Sequence, residues 1–228
     1  MGGEPEIIFE DGDLLVVDKP CGMIVHPAPG HEQGSLTGWA VRHCPEIAKV
    51  GSVSRPGVVH RLDIETSGVM VLAKTVLAYT KLREAFEAHS GIVKKYLAVV
   101  HGAIKPAKGK LETQIGRKPW DPRRMAVVES GGEIARTAWE TVGRSGGVSL
   151  VEFVIATGRT HQIRVHAAHL GHPIAGDSLY GDRKKDANLR PRPTRLMLHA
   201  VQLEFSHPRS GESLVFAAPP PRELIYVR

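Results

Sequence analysis

HRLDIETSG, residues His60 to Gly68, sets one carboxylate, Asp63, between a cation, Arg61, and a small polar turn made of Thr66, Ser67 and Gly68. It then runs straight into the apolar stretch Val69 to Ala73. That order predicts a buried strand entered through a polar loop. A carboxylate at the mouth of such a strand can be held rigidly, sheltered from water and used for chemistry. A lone loop aspartate is more commonly a solvated turn or cap residue, so the residues around it have to carry the difference.

Upstream, Glu6 to Phe9 and Leu14 to Val17 read as two strands joined by the turn residues Glu10 to Asp13. Asp18, Lys19, Pro20 and Gly22 break the run before a second apolar stretch leads to His26 and Pro27. Gly30 to Ser35 is a polar loop, Leu36 to Cys44 has helical spacing that Pro45 stops, and Val50 to Gly57 is a loop delivering the central stretch. Downstream, Thr75 is an N-cap for a helix through Ser90, with Ala78, Leu82, Ala85, Phe86 and His89 on one face and Gly91 as terminator. IVKKYLAVVHG then reads as a strand containing Tyr96.

Four further strands follow at Lys110 to Ile115, Met125 to Glu129, Glu133 to Val142 and Val148 to Ala156, with glycine turns at Ser130 to Gly132 and Ser145 to Gly147. Strands in such succession favour antiparallel hairpins over βαβ units. Ile163, Ala167 and Leu170 have helical spacing, ended by Gly171 and Pro173. Arg183 to Arg195 reads as a basic, proline-rich loop in which six Lys or Arg face one acid, Asp186. Leu196 to Phe205 and Ser213 to Phe216 read as closing strands, while PPPRELIYVR has no assigned place. The expected fold is α+β: a single domain over residues 1–228 with a central, mainly antiparallel mixed sheet, flanking helices and a basic cleft.

Composition narrows the partners. Thirty Lys and Arg against 24 Asp and Glu give a formal charge of +6 and a pI near 9.4, which favours an anionic partner, nucleic acid first. Hydrophobic content of 42% with 24% charged residues is that of a globular rather than a disordered chain. Cys21 and Cys44 form neither a CxxC pair nor a disulfide framework, consistent with a reducing cytoplasm. The start lacks a signal-peptide pattern, Glu6 breaks the myristoylation pattern, and no apolar run approaches a membrane span. A cytoplasmic monomer with no membrane partner is expected.

HRLD followed by TSG resembles the active-site signature of the RluA-type pseudouridine synthases, enzymes that isomerise uridine within RNA. LLVVDKPCGMIVHP resembles the first motif of that family, in which the Lys-Pro-x-Gly turn braces the catalytic loop. The KxY context of Tyr96 and the run Gly158 to Arg164, GRTHQIR, resemble two more, so the likeness extends from Ile7 to Phe216. Many members carry a small RNA-binding domain ahead of the catalytic part, and none is expected here. The layout around Met125 to Glu129 is similar to members acting on large-subunit ribosomal RNA, with transfer RNA as the alternative substrate.

The resemblance implies a mechanism. Isomerisation breaks the bond from ring nitrogen to sugar and rejoins the base through carbon, with no net redox, so neither metal nor organic cofactor is required. Asp63 is the implied catalytic carboxylate, Arg164 the cation that keeps it charged in a dry pocket, and Tyr96 the ring that stacks on the extruded base and could move a proton. Arg61 is implied to reach the RNA backbone or fill the gap the base leaves. In GRKPWDPRR, the cations Arg117, Lys118, Arg123 and Arg124 flank Trp120, which reads as a flap that tracks phosphates while the indole offers a stacking face, or else as a solvated hairpin tip.

Rival chemistries fit less well. His161, His166, His169 and His172, or His43 beside Cys44, match no compact zinc spacing, so no metal is expected. Ser67 precedes a strand and lacks the strand-to-helix elbow of a serine hydrolase. An idle RNA-binding protein of the same fold is the remaining alternative. Loss of the carboxylate, the arginine or the aromatic would favour it, and all three are present.

Overall fold

The computed structural model describes residues 3–27, 34–118 and 120–225. The start of the chain, most of the polar loop before Ser35, Pro119 of the basic flap and the last three residues of the tail lie outside the described residues. In chain order the elements are β1 (Glu6–Glu10), β2 (Leu14–Lys19), α1 (Leu36–His43), a 3-10 turn (Pro45–Lys49), β3 (Gly51–Ser52), β4 (Arg55–Pro56), β5 (Ser67–Ala73), α2 (Val76–Ala88) and β6 (Val93–His101). There follow β7 (Lys108–Lys118), β8 (Asp121–Val128), β9 (Glu133–Ser145), β10 (Val148–Ile155), α3 (Gln162–His169), α4 (Arg183–Asn188), β11 (Leu198–Ser206), β12 (Ser213–Ala217) and α5 (Arg222–Ile225). The class is α+β. The elements form two compact units, Met1–Val93 with Ala200–Pro219 and Lys94–His199 with Pro220–Arg228.

The first unit is built on β2 and β5. Asp11 opens the β1–β2 turn by accepting the backbone N–H groups of Asp13 at 2.8 Å and Leu14 at 2.7 Å, an arrangement a short carboxylate makes readily. β2 then pairs antiparallel with β5 in the register Val16 to Val71. Every residue of β5 is buried, and Leu14 to Val17 are fully so. Each Val, Leu or Met among them contributes about 1.5–3 kcal/mol of hydrophobic stabilisation. Gly68 sits at φ +121°, where an added Cβ would lie 2.3 Å from the carbonyl oxygen of Ala200, so the glycine of the TSG turn is required by a backbone running against it. Thr75 caps α2, accepting from the Ala78 N–H at 3.2 Å. The helix ends two residues short of expectation, because His89 already takes the left-handed conformation ahead of Gly91.

The second unit is an antiparallel sheet in the order β6-β10-β9-β7-β8, with β8 on its edge. Tyr96 on β6 stands opposite Phe153 on β10, which in turn faces Trp139 on β9. α3 lays Val165 against Ile115 and Ala135, with Met125, Val127 and Tyr180 packed around them.

Two readings of the sequence need correction, and the unassigned tail gains an element. Arg183 to Arg195 is not all loop: Asp182 accepts from the N–H groups of Lys184 and Lys185 and starts the short helix α4. The Val50 to Gly57 loop contains the small β3–β4 hairpin, and the tail opens with α5. Among the described residues, no helix is long and apolar enough to cross a membrane.

Candidate active site

Asp63 is half-buried at the head of a turn that its own carbonyl closes by accepting from the Thr66 N–H at 3.1 Å. The residues after β2 grip that turn. The Lys19 side chain has no solvent exposure, and its ammonium donates to the carbonyls of Pro20 at 3.0 Å, Met23 at 2.8 Å and Ile64 at 3.3 Å. A buried ammonium is tolerable only when its donors are taken up in this way. The Gly22 N–H donates to the Ile64 carbonyl at 2.8 Å, from a φ of +85° that suits glycine, and the Cys21 thiol donates to the Glu65 carbonyl at 3.1 Å. The brace implied by the Lys-Pro-x-Gly resemblance is therefore a set of three bonds to two consecutive carbonyls just past Asp63.

The other side of the turn is fixed by His60. Its Nε2 accepts from the Val71 N–H at 3.1 Å, and its ring stacks on Phe86 with centroids 4.5 Å apart. Leu62 is buried and Arg61 exposed. His60 and Leu62 thus anchor the segment while Arg61 and Asp63 are presented.

Arg164 is held in the second unit. It is 2% exposed on α3 and makes a two-pronged ion pair with the fully buried side chain of Asp177, Nε to Oδ2 at 2.7 Å and Nη2 to Oδ1 at 2.8 Å. Burial pushes the Asp177 carboxyl up, but Arg164 and the backbone N–H groups of Tyr180 and Leu179 outweigh it and hold the group below its ordinary range. The plane of the guanidinium is set by this fork. The Tyr180 ring lies 5.3 Å from the Arg164 guanidinium carbon. Its hydroxyl accepts from the Met125 N–H at 2.8 Å and lies 2.8 Å from His161 Nδ1, so one tyrosine ties the edge strand β8 to the start of α3.

A buried polar network seats α3. Gln162 Oε1 accepts from the Thr157 hydroxyl and the Arg159 N–H, and its Nε2 donates to the Arg136 carbonyl and the Thr137 hydroxyl. His166, with no exposure, bonds Thr137 at 2.8 Å and Thr113 at 2.9 Å. Burial pushes its imidazole down to about 4, with a smaller contribution from His169. Tyr96 is 8% exposed on β6. Two residues before it, Lys94 is buried with its ammonium donating to the Thr157 carbonyl at 3.4 Å; burial first, then Arg159, lowers it to about 8.

The structure places Arg117 and Lys118 at the end of β7, and Arg123 and Arg124 at the start of β8. Trp120 between them is 89% exposed, which leaves its ring faces available for stacking. Asp121 stands beside both arginines, 3.3 Å from Arg123 and 3.4 Å from Arg124. Three of the histidines considered as metal ligands have other partners: His161 bonds Tyr180, His166 bonds the two threonines, and His172 donates to the His101 carbonyl at 2.8 Å. Among the described residues, no three His, Cys, Asp or Glu side chains cluster as a metal site.

Of the expected residues, Asp63 and Arg61 stand in the first unit, and Tyr96, Arg164 and the hairpin cations in the second. The sequence reading passed over Asp177, Tyr180, Gln162 and Lys94. An available signal was the aspartate of AGDSLYG, where a short acid after glycine tends to accept the N–H groups two and three residues on, as Asp177 does.

Comparison with known proteins identifies the family. The RNA pseudouridylate synthase family profile matches residues 13–169. An RNA pseudouridine synthase of uncharacterised role from Synechocystis is 41% identical over 98% of this chain and 69% of its own length. Ribosomal large subunit pseudouridine synthase D is 42% identical in Neisseria meningitidis serogroup A, over 97% of this chain and 60% of that protein, and 40% identical in Pseudomonas aeruginosa, over 98% and 71%. The chain thus spans about 60–71% of the length of these relatives. Human RNA Pseudouridylate Synthase Domain Containing 4 superposes with a TM-score of 0.76 at 29% identity, covering 96% of this chain and 90% of that one. With the signature around Asp63 set on a braced turn and the match running nearly end to end, the chain belongs to the RNA pseudouridylate synthase family, isomerases that act on RNA.

Proposed function

We propose that this chain converts uridine to pseudouridine in large-subunit ribosomal RNA, acting as a monomer in the cytoplasm, with its two compact units serving one catalytic domain. The observation that carries the reading is the HRLD-TSG signature with the turn just past Asp63 braced at Ile64 and Glu65 by Lys19, Cys21 and Gly22. The relatives named as large-subunit synthases support ribosomal over transfer RNA.

In the reaction the N1–C1′ bond breaks, the base turns, and a C5–C1′ bond forms; C5 gives up a proton and N1 gains one, so atoms balance without a redox step. Asp63 supplies the carboxylate, which attacks sugar or base or stabilises the charge that develops between them. Arg164, its plane set by Asp177, is the arginine that the family resemblance assigns to keeping the catalytic carboxylate ionised. Tyr96 offers a ring to the extruded base and a hydroxyl that can pass a proton. Arg61, exposed beside Asp63, takes the RNA backbone or the gap left in the stack.

The test is to map pseudouridine in ribosomal and transfer RNA from cells with and without the gene, complemented by wild type or Asp63→Asn. A site in ribosomal RNA that vanishes, returns with wild type and stays absent with Asp63→Asn is the expected result, with RNA affinity of the variant retained. A site that moves only in transfer RNA reassigns the substrate. No changed site in either pool leaves the idle RNA-binding protein as the better account.

A further inference from the structure

The first unit carries a groove beside Arg61 in which His26, Arg55 and Tyr79 have no part in the isomerisation chemistry. It measures roughly 400 Å³ and is lined by His26, Ser54, Arg55, Arg61, Tyr79 and Arg83 among others, none of them acidic. Its shape is fixed by close packing. Gly51 of the β3–β4 hairpin sits so near α2 that an added Cβ would lie 2.7 Å from the Tyr79 ring. Arg83 bonds Glu87 and the Tyr79 hydroxyl. Arg55 and Arg61 are exposed, and among the described residues no carboxylate pairs with either. His26 Nδ1 is buried and has no hydrogen-bond partner among the described residues. A polar atom without a partner is costly, and an acceptor oxygen brought by a ligand would satisfy it. Burial first, then Arg55 and Arg61, press the His26 imidazole below its ordinary range, so the ring sits in a positive potential while remaining able to donate from one nitrogen.

We propose that this groove seats a phosphate group of the RNA backbone, gripped by Arg55 and Arg61 and bonded by His26 Nδ1. Two guanidinium groups and a ring N–H are the donor set for an anion with several acceptor oxygens and no donors. The phosphodiester of RNA is favoured over free phosphate because Arg61 lies two residues from Asp63, so the groove is contiguous in chain with the turn that presents the carboxylate. The assignment rests on the RNA reading above, and it adds a phosphate site outside the β7–β8 hairpin.

Two measurements on the full chain test it. In the first, inorganic phosphate is titrated into wild type and Arg55→Gln while the His26 ring resonances are followed, and substrate RNA is then added as competitor. Saturable shifts in wild type that are weakened at least about tenfold in Arg55→Gln and reversed by RNA are expected. Saturable shifts that RNA does not reverse assign the groove to free phosphate or a nucleotide and overturn the RNA proposal. Absence of any shift overturns the site itself.

In the second, RNA affinity is measured against salt, and Arg55→Gln is expected to weaken binding and to flatten the slope of log K against log salt by about 1. Pseudouridine formation by wild type is read in the same samples. An active wild type with an unchanged slope in Arg55→Gln overturns the site and leaves the catalytic reading standing. An inactive wild type whose His26 shifts are reversed by RNA sinks the catalytic reading and leaves the site in place.

Discussion

At the scale of single residues, Gly68 and Asp63 separate what the signature does for the fold from what it does for chemistry. Gly68 combines a φ of +121° with a backbone contact at which a Cβ would meet the Ala200 oxygen at 2.3 Å and nitrogen at 2.5 Å. Neither atom can rotate away, since both belong to a strand. Gly68→Ala is therefore expected to cost about 2–4 kcal/mol, read as a lowered denaturation midpoint, from combined backbone strain and overlap. A loss under about 0.5 kcal/mol would mean that β11 yields at this point. Asp63 is half-buried and its turn is held through the Ile64 and Glu65 carbonyls, so Asp63→Asn leaves those bonds in place. Asp63 stood out only through the resemblance of HRLD and TSG to the family signature, because a loop acid taken alone is more commonly a turn or cap residue. The sequence did not make the purpose of Gly68 readable beyond a turn, because the atoms that demand a glycine come from Ala200, 132 residues further on. Asp177 was hidden for a related reason: its partner is one buried arginine on another element, and no periodicity announces such a pair.

At the scale of elements, α3 is seated by hydrogen bonds as much as by apolar contact, and this makes its stability respond to acid. His166 has no exposure and titrates near 4 in the folded chain against 6.5 in an exposed one. Between those values the unfolded chain holds a proton that the folded chain does not. Stability consequently rises with pH through this window and falls as the solution is acidified from 6.5 toward 4, by up to about 3 kcal/mol. Denaturant melts of His166→Leu should lack this part of the slope, whatever the variant's absolute stability; a slope identical to wild type would assign the acid sensitivity elsewhere. The helical spacing of Ile163, Ala167 and Leu170 located α3 correctly, yet spacing cannot report that Gln162 and His166 point into a polar network. α4 was missed because prolines at 191 and 193 and a high charge density argue for loop, while Asp182 supplies the cap that permits one and a half turns of helix. The strands were legible nearly throughout, since β2 and β5 are buried runs and β6 to β10 alternate between glycine turns.

At the scale of the whole molecule, the charge of +6 says that an anion is attracted without saying where it lands. The β7–β8 hairpin offers one answer, and Asp121 makes it testable in two directions. Without RNA, this acid lies 3.3 Å from Arg123 and 3.4 Å from Arg124, so phosphate has to compete with it for both cations. The Arg123 side chain is 80% exposed, and an ion pair so open to water is worth under about 1 kcal/mol, which a phosphate can displace. Removing the acid and removing the arginines should then act with opposite signs. Asp121→Asn is expected to tighten RNA binding a few-fold at low salt and to steepen its salt dependence. Arg123→Ala with Arg124→Ala is expected to weaken binding and to flatten the slope of log K against log salt by about 1–2. Each effect should shrink as salt rises, because both rest on counterion release. If all three proteins share one slope, the hairpin cations are a solvated surface and the RNA is held elsewhere. If the arginine variant weakens binding while Asp121→Asn leaves it unchanged, the phosphates reach the guanidinium groups without disturbing the acid, and the hairpin contacts RNA with its ion pairs intact.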